Sequence, residues 1–533
     1  FNPLTLRTSA IAVATGRAGI TISAALWTHL PAWPRLAPPA KPRPVLLATG
    51  AAEMRRRRRG ACAESLGGTW GLARAMSSSV ISADEVRACL RAVMEPNLQA
   101  NVVALDFVRN ITVTGAGVSF DLVLNTPACP TKETLKQTCI DAVAALPWVE
   151  SVDVHLSAEH RARKRDDPKT QAAASSGLKD VKRIIAVSSA KGGVGKSTVS
   201  VNLAYAIARL GGKVGIFDAD VQGPSLPTMV ALENPKVVKS PVNDSLMVPL
   251  EYEGVKLMSY GFSAKARKGQ AAVMRGPMVA STVSTLLKST DWGPLDYMII
   301  DLPPGTGDIH LTLCQELNID GAVIVTTPQK LSFVDVIKGL QMFDTLNVPI
   351  VALVENMSYF DCGCGQRHYP FGKGHAAHLA SEHGTPPAVV FPIREQISER
   401  GDGGHPLVLP PSSDQGHLDA SDAQVEELFM HLASTVVQQM SILEMAGDTA
   451  PLVEFDPELK NVTVWPTSGS AVIWGIADLR EACLSAKKAP PLKASTRPLT
   501  IAPKGRYAVE MKWSDGHTSI FPYTSLLRGP LPS

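Results

Sequence analysis

The segment from Ile184 to Leu210 constrains this 533-residue chain most. Ile184–Val187 is a short apolar run, as a buried strand requires. Ser188–Gly195 is a loop of small residues, and a helix pattern begins at Lys196 and runs through Val199–Leu210. A strand, a glycine-rich turn and a helix in that order make a phosphate cradle: backbone N–H groups curl around an anion, and the helix N-terminus adds positive potential. The cradle is assigned to Gly192, Gly193, Val194, Gly195, Lys196, Ser197 and Thr198. Lys196 is expected to reach the β- and γ-phosphate oxygens of ATP, and Ser197 to place its hydroxyl on Mg²⁺. Ala190 stands where the usual motif has its first glycine, a replacement small enough for the turn.

Three acidic positions fit the same chemistry. Asp301 ends the apolar run Tyr297–Ile300, where a Mg²⁺-holding carboxylate belongs. Asp218 and Asp220 follow the second strand, at the place of a first switch, with Asp218 expected to join Ser197 and Asp301 as a Mg²⁺ ligand, and Pro303–Asp308 reads as a second switch loop. A plain helix-capping role stays open for each aspartate.

Ile184–Val187, Val214–Phe217, Met298–Ile300, Ala322–Val325 and Ile350–Val354 are continuous apolar runs separated by helix-length segments. Strands of this kind are buried on both faces, so the expected fold is α/β, a doubly wound parallel-sheet P-loop NTPase domain over 181–440. Before it, the capping box Ser82-x-x-Glu85, strand patterns at Val102–Val108, Val118–Leu124 and Val149–Leu156, and a helix over Thr131–Ala145 predict a small α+β domain at 80–157. Residues 158–180 read as a linker, its run Arg161–Arg165 as a solvated stretch. Strand patterns rich in Val, Trp and Tyr predict a small mostly β domain at 450–528.

Charge is unevenly placed. Residues 1–76 hold eleven Lys/Arg against two acids, a net +9, so the rest of this +3 chain carries −6. A net-acidic body argues against a nucleic-acid partner, and no apolar run is long enough for membrane insertion. The 1–76 composition, without Asp and with Arg55–Arg59, fits an organelle transit peptide. The alternative is untranslated sequence upstream of a start at Met54 or Met76. Eight cysteines (62, 89, 129, 139, 314, 362, 364 and 483) are too few for a secreted disulfide framework and point to a reducing compartment.

Lys191 narrows the reading. The pattern K-G-G-x-G-K-[ST] resembles the deviant-Walker-A ATPases, which include ParA, MinD, the nitrogenase iron protein and the Mrp/ApbC proteins. That resemblance implies a nucleotide-sandwich homodimer in which Lys191 reaches the partner's ATP. Asp218–Ser225, Met274–Pro277, Asp301–Asp308, Thr326–Gln329 and Val354–Ser358 are similar to blocks of the Mrp/ApbC branch, which carries iron–sulfur clusters. The resemblance sets Asn356 beside the adenine and gives Asp220 a part in activating the attacking water. Thr126–Pro130 resembles the small SufT/PaaD-like assembly domain. Leu479–Cys483 and Tyr507–His517 resemble the small domain found beside butyrobetaine hydroxylase. That domain order is similar to plastid family members that supply 4Fe–4S clusters for photosystem I. It implies slow ATP hydrolysis coupled to a 4Fe–4S cluster, upstream cluster-assembly machinery, apoprotein acceptors and the chloroplast stroma, with mitochondrion or cytoplasm as alternatives. A MinD/ParA-like spatial organiser and an ATP-driven reductase are the rival readings.

The cysteines leave alternatives open. Mrp/ApbC proteins commonly use Cys-x-x-Cys; here the spacing is Cys362-Gly-Cys364. A 4Fe–4S cluster takes four thiolates, so two copies of the chain would be needed. Half of a zinc site with His368 or His375, or an adventitious pair, also fits. Cys129 matches the reactive cysteine of the small-domain motif, against a reading as a small buried hydrophobe. Cys89, Cys139 and Cys314 fall on apolar helix faces.

Overall fold

The computed structural model describes residues 83–527 and 529, apart from 99, 161–175, 242, 264–273, 275, 384, 411–419, 447–450, 466–470, 484–491, 494 and 505–507. The chain divides into two units, Phe1–Ser77 and Ser78–Ser533. The basic segment 1–76, Ser82 of the capping box, the run Arg161–Arg165, Arg275 and Tyr507 lie outside the described residues.

The first described region packs helices α1 (Ala83–Leu90) and α2 (Lys132–Ala144) on a sheet of β1 (Val108–Thr114), β2 (Gly117–Leu124) and β3 (Ser151–Ala158). β1 and β2 are antiparallel, and β3 runs parallel to β2 after the α2 crossover. Strict alternation buries Val118, Phe120, Leu122 and Leu124 against Leu135, Cys139 and Val143. One expectation fails here: the strand foreseen at Val102–Val108 begins only at Val108. Asn101 accepts a hydrogen bond from the Ala104 N–H at 2.8 Å, and Asp106 adopts a left-handed φ of 57°. Asn and Asp tolerate such turns, so residues 102–107 become a turn although their apolar pattern suits a strand.

The second region is a nine-stranded sheet of β4 (Val181–Ser188), β5 (Val214–Asp218), β6 (Leu250–Tyr252), β7 (Val255–Ser259), β8 (Leu295–Asp301), β9 (Gly321–Thr326), β10 (Ile350–Asp361), β11 (Arg367–His368) and β12 (Val389–Pro392). The order is β6-β7-β5-β8-β4-β9-β10-β11, with β12 also paired to β10. Only β6 and β11 run antiparallel to their neighbours. Ile185, Val187, Tyr297 and Ile299 enter one hydrophobic cluster; Ile184, Ala186, Met298 and Ile300 enter the other. Both faces are therefore covered, which is why these strands read as unbroken apolar runs. β4 lies between β8 and β9, so the loop leaving it opens at a switch point of the strand order, where such sheets bind ligands.

Helix α3 (Lys196–Arg209) leaves that loop, followed by α4 (Gly276–Lys288), α5 (Asp308–Glu316), α6 (Lys330–Thr345), α7 (Ala376–His383) and α8 (Ala420–Ala446). The first region docks on this layer: Lys132 Nζ donates to the Leu210 carbonyl at 2.8 Å, and Thr126 Oγ1 lies 2.7 Å from Tyr297 Oη. The start of the expected linker is anchored too. Buried His160 sits 3.3 Å from Asp296 and 3.9 Å from Glu444, which pairs with Arg183 at 2.7 Å. Burial opposes a charge on His160, but the two carboxylates outweigh it and raise its pKa.

The last region holds two three-stranded antiparallel sheets, β13 (Leu452–Asp456), β14 (Asn461–Trp465) and β15 (Val472–Gly475), then β16 (Pro498–Lys504), β17 (Ala508–Trp513) and β18 (Thr518–Pro522). They share a core of Val462, Val464, Trp474, Met511, Trp513 and Phe521. Buried Cys483 lies 3.5 Å from His517 Nε2 and 3.1 Å from Ser519 Oγ. Among the described residues, no helix is long and apolar enough to cross a membrane.

Candidate functional site

The loop after β4 turns through two left-handed glycines, Gly193 (φ 77°) and Gly195 (φ 84°), and delivers Lys196 to the first turn of α3. Lys196 Nζ donates to Asp301 Oδ1 at 2.7 Å, Ser197 Oγ to Asp301 Oδ2 at 2.6 Å and Ser200 Oγ to Asp301 Oδ1 at 2.6 Å. Lys196 and Asp301 are both buried. A cation for phosphate oxygens thus lies against a carboxylate and a hydroxyl suited to Mg²⁺, in a low-dielectric setting where each charge counts for more. Oxygen donors of this kind suit that hard ion.

Asp218 holds a different place. Its carboxylate accepts the N–H groups of Asp220, Ser225 and Leu226 at 3.0, 3.1 and 3.2 Å, and the Ser259 hydroxyl at 3.1 Å. Four donors make it the anchor of the first switch segment. Burial, reinforced by the charge of Asp301, pushes its carboxyl up to about 7. Asp220, Gln222 and Gly223 of the first switch segment and Pro303, Pro304 and Asp308 of the second line a cleft of about 430 Å³. His310 closes one end of that cleft. It is buried, its Nε2 lies 3.4 Å from Ser188 Oγ, and burial and the Lys196 charge lower its pKa to about 4. No motif pointed to His310 as part of the site floor.

Lys191 Nζ lies 3.4 Å from Asp335 on α6 of the same chain. Asn356 donates its side-chain amide to the Val194 carbonyl at 2.9 Å, and a Cβ on Gly195 would come within 2.2 Å of that amide nitrogen. The phosphate loop and β10 are therefore in direct contact.

β10 continues from Asn356 through Met357, a left-handed residue at φ 56°, and ends just before the cysteines. There Cys362 and Cys364 are joined as a disulfide, whereas sequence reasoning had them as thiolate ligands. The disulfide form has no thiolate to offer, so a metal-holding role requires prior reduction. The sulfurs and a His368 ring nitrogen all lie within 4.8 Å of one another. Cys129 belongs elsewhere: half-buried in the first region, its Sγ lies 3.3 Å from Thr131 Oγ1, which donates to Glu95 at 3.2 Å. Burial raises its thiol pKa, which favours the protonated form.

Three stretches of the chain match known protein families. Residues 180–432 match the family described as NUBPL iron-transfer P-loop NTPase, 83–155 the iron–sulfur cluster assembly protein family, and 456–527 the gamma-butyrobetaine hydroxylase-like N-terminal family. The chain is 44% identical over 471 residues to the chloroplastic Fe–S cluster assembly factor HCF101 of Oryza sativa subsp. japonica, covering 85% of this chain and 84% of that protein. It is 41% identical over 351 residues to an iron–sulfur cluster carrier protein of Synechocystis sp., covering 65% and 97%. A solved nucleotide-binding protein from Archaeoglobus fulgidus in complex with ADP is 37% identical, covering 48% of this chain and 99% of its own, with a TM-score of 0.39. Fold and loop define a P-loop NTPase built on a parallel sheet, and the family match places it in the iron-transfer class. Within that class the chain belongs to the HCF101 family of Fe–S cluster assembly factors and carriers.

Proposed function

We propose that this chain holds a labile 4Fe–4S cluster as cargo on its Cys362/Cys364 hairpin, shared between two copies, and releases it to plastid apoproteins under ATP control. The observation that supports this reading is the continuity of β10. The strand bonds the phosphate loop through Asn356 and ends at Asp361, immediately before the cysteine pair. A change at the loop has a short route to the cargo ligands, through that hydrogen bond and then along the strand.

In this reading Lys196 and the loop N–H groups hold the phosphates, Ser197 and Asp301 hold Mg²⁺, and Asp220 orients the attacking water from its cleft. Asp218 keeps the first switch in place. Lys191 leaves Asp335 and crosses to the partner's ATP, which makes the working unit a homodimer. Hydrolysis is slow because it sets the pace of cargo transfer. The small domain at 80–157, with Cys129, meets the upstream assembly machinery, and the β domain at 450–528 stands beside the 181–440 module. The chloroplastic relatives support a plastid setting, within which the proposed compartment is the stroma and the proposed acceptors include photosystem I.

The test is anaerobic transfer from the reduced, loaded protein to an apo-4Fe–4S acceptor, with ATP, ADP or no nucleotide. Transfer should respond to ATP in the wild type and lose that response in Lys196→Ala, which removes the phosphates' main side-chain cation. Identical rates under all three conditions would overturn the coupling.

A further inference from the structure

The hairpin after β10 places one donor more than the cluster reading uses. Two copies with two cysteines each supply the four thiolates of a 4Fe–4S cluster. His368 nevertheless lies with Cys362 and Cys364 in one group whose donor atoms are all within 4.8 Å of each other. The disulfide joins the two sulfurs, and the hairpin brings His368 to them. Cys362 N donates to the Gln366 carbonyl, and Gly365 N to the Cys362 carbonyl, each at 3.0 Å. Gly365 turns the chain at φ 78°, and β-pairing fixes His368 opposite Phe360. Beside it, Asp361 is gripped by Arg367 at 2.7 Å and Arg394 at 3.4 Å, and the Arg367 guanidinium lies over the Tyr359 ring at 3.7 Å. The exposed imidazole is thus carried by a braced turn.

Donor spacing distinguishes two kinds of centre. Around one tetrahedral ion with metal–sulfur bonds near 2.3 Å and metal–nitrogen bonds near 2.0 Å, neighbouring donors lie roughly 3.4–3.8 Å apart. The three donors here are within side-chain adjustment of that geometry. A four-iron cluster instead takes one thiolate on each iron. Two thiolates and an imidazole suit divalent ions of borderline softness, such as Fe²⁺, Co²⁺ and Zn²⁺.

We infer that the reduced hairpin, when it carries no cluster, is a mononuclear Cys₂His site, one per copy, that takes a single such divalent ion through Cys362, Cys364 and His368 and keeps a fourth position open. The inference rests on the proposed function only in placing metal chemistry at this hairpin. Opening the site consumes a dithiol: two electrons and two protons convert the Cys362–Cys364 disulfide into two thiols, and the dithiol becomes a disulfide. Metal binding then releases the two thiol protons to solvent.

The experiment uses the full-length protein, reduced anaerobically with a dithiol, desalted and titrated with Co²⁺. The expected result is one Co²⁺ per chain, with the visible ligand-field bands of tetrahedral cobalt and near-ultraviolet thiolate-to-cobalt charge transfer. His368→Ala should weaken binding roughly tenfold or more and alter the visible bands. His375→Ala should match the wild type, and Cys362→Ser/Cys364→Ser should lose the charge-transfer absorbance. Wild-type affinity and spectrum in His368→Ala, or one Co²⁺ per two chains, would overturn the inference. Parallel reconstitution with iron and sulfide separates the two claims. A loaded cluster with cobalt binding indifferent to His368 sinks this site alone. A wild type that takes no cluster yet binds cobalt through His368 keeps the site and sinks the cluster reading.

Discussion

Gly195→Ala probes the contact between the phosphate loop and β10. Gly195 sits at φ 84°, a left-handed conformation that costs an L-residue about 1–2 kcal/mol. The added methyl would also lie 2.2 Å from Asn356 Nδ2, displacing the amide that bonds the Val194 carbonyl. Losing that hydrogen bond costs about 0.5–1.5 kcal/mol. The sum, about 1.5–3.5 kcal/mol, falls on the loop conformation that grips phosphate, so ATP affinity should drop roughly 10–300-fold. Titration with a fluorescent ATP analogue reads this directly. Asn356→Ala alone should cost only its hydrogen bond. In that background the methyl meets no amide, so the double variant should cost less than the two singles added, with a coupling of about 1 kcal/mol. Unchanged affinity in Gly195→Ala, or strictly additive costs, would refute the loop–strand contact.

Lys191→Ala should still bind nucleotide but hydrolyse it more slowly, since the partner's ATP loses a cation; normal hydrolysis in that variant would count against the sandwich dimer. Asp335→Ala removes the intrachain partner of Lys191 and should leave hydrolysis equal or faster, with a fall in rate as the contrary result. His310 gives a pH prediction. Its folded pKa, about 4, lies below the unfolded 6.5, so the unfolded chain binds the extra proton between those values and stability falls as pH drops through that window. Relative to His310→Gln, the wild type should lose about 2 kcal/mol between pH 7.5 and pH 5. Parallel denaturation curves at the two pH values would refute the assignment.

The parallel sheet and phosphate loop were legible because their signals are local. Ile184–Val187 in β4 and Tyr297–Ile300 in β8 are unbroken apolar runs, and Gly193, Gly195 and Lys196 stand at fixed offsets in one strand–turn–helix unit. What stayed hidden depends on residues far apart in the chain. His160 meets Asp296 and Glu444 across a domain junction, and nothing in a polar stretch after β3 announces that its first histidine is buried. His310 is one residue of an ordinary helix, and it becomes part of the site floor only because α5 packs beside Ser188. Asn356 was placed by resemblance beside the adenine, while its bond to Val194 spans 162 positions. The Val102–Val108 expectation failed because two short polar side chains, Asn101 and Asp106, favour a turn more strongly than apolar alternation favours a strand. The Cys362–Cys364 pairing depends on redox state, which residue spacing alone does not set.

The central claim is that the cysteine hairpin holds the cluster between two copies. The direct measurement is iron and sulfide content, with visible absorbance and oligomeric mass, after anaerobic reconstitution of the reduced protein and of Cys362→Ser/Cys364→Ser. Soft thiolates hold iron–sulfur clusters and hydroxyls replace them poorly, so the wild type should carry about four iron and four sulfide per two chains, and the double variant should lose most of both while keeping ATP hydrolysis. Full cluster loading in the double variant would contradict the account and move the cargo site elsewhere, with Cys129 the next residue to test.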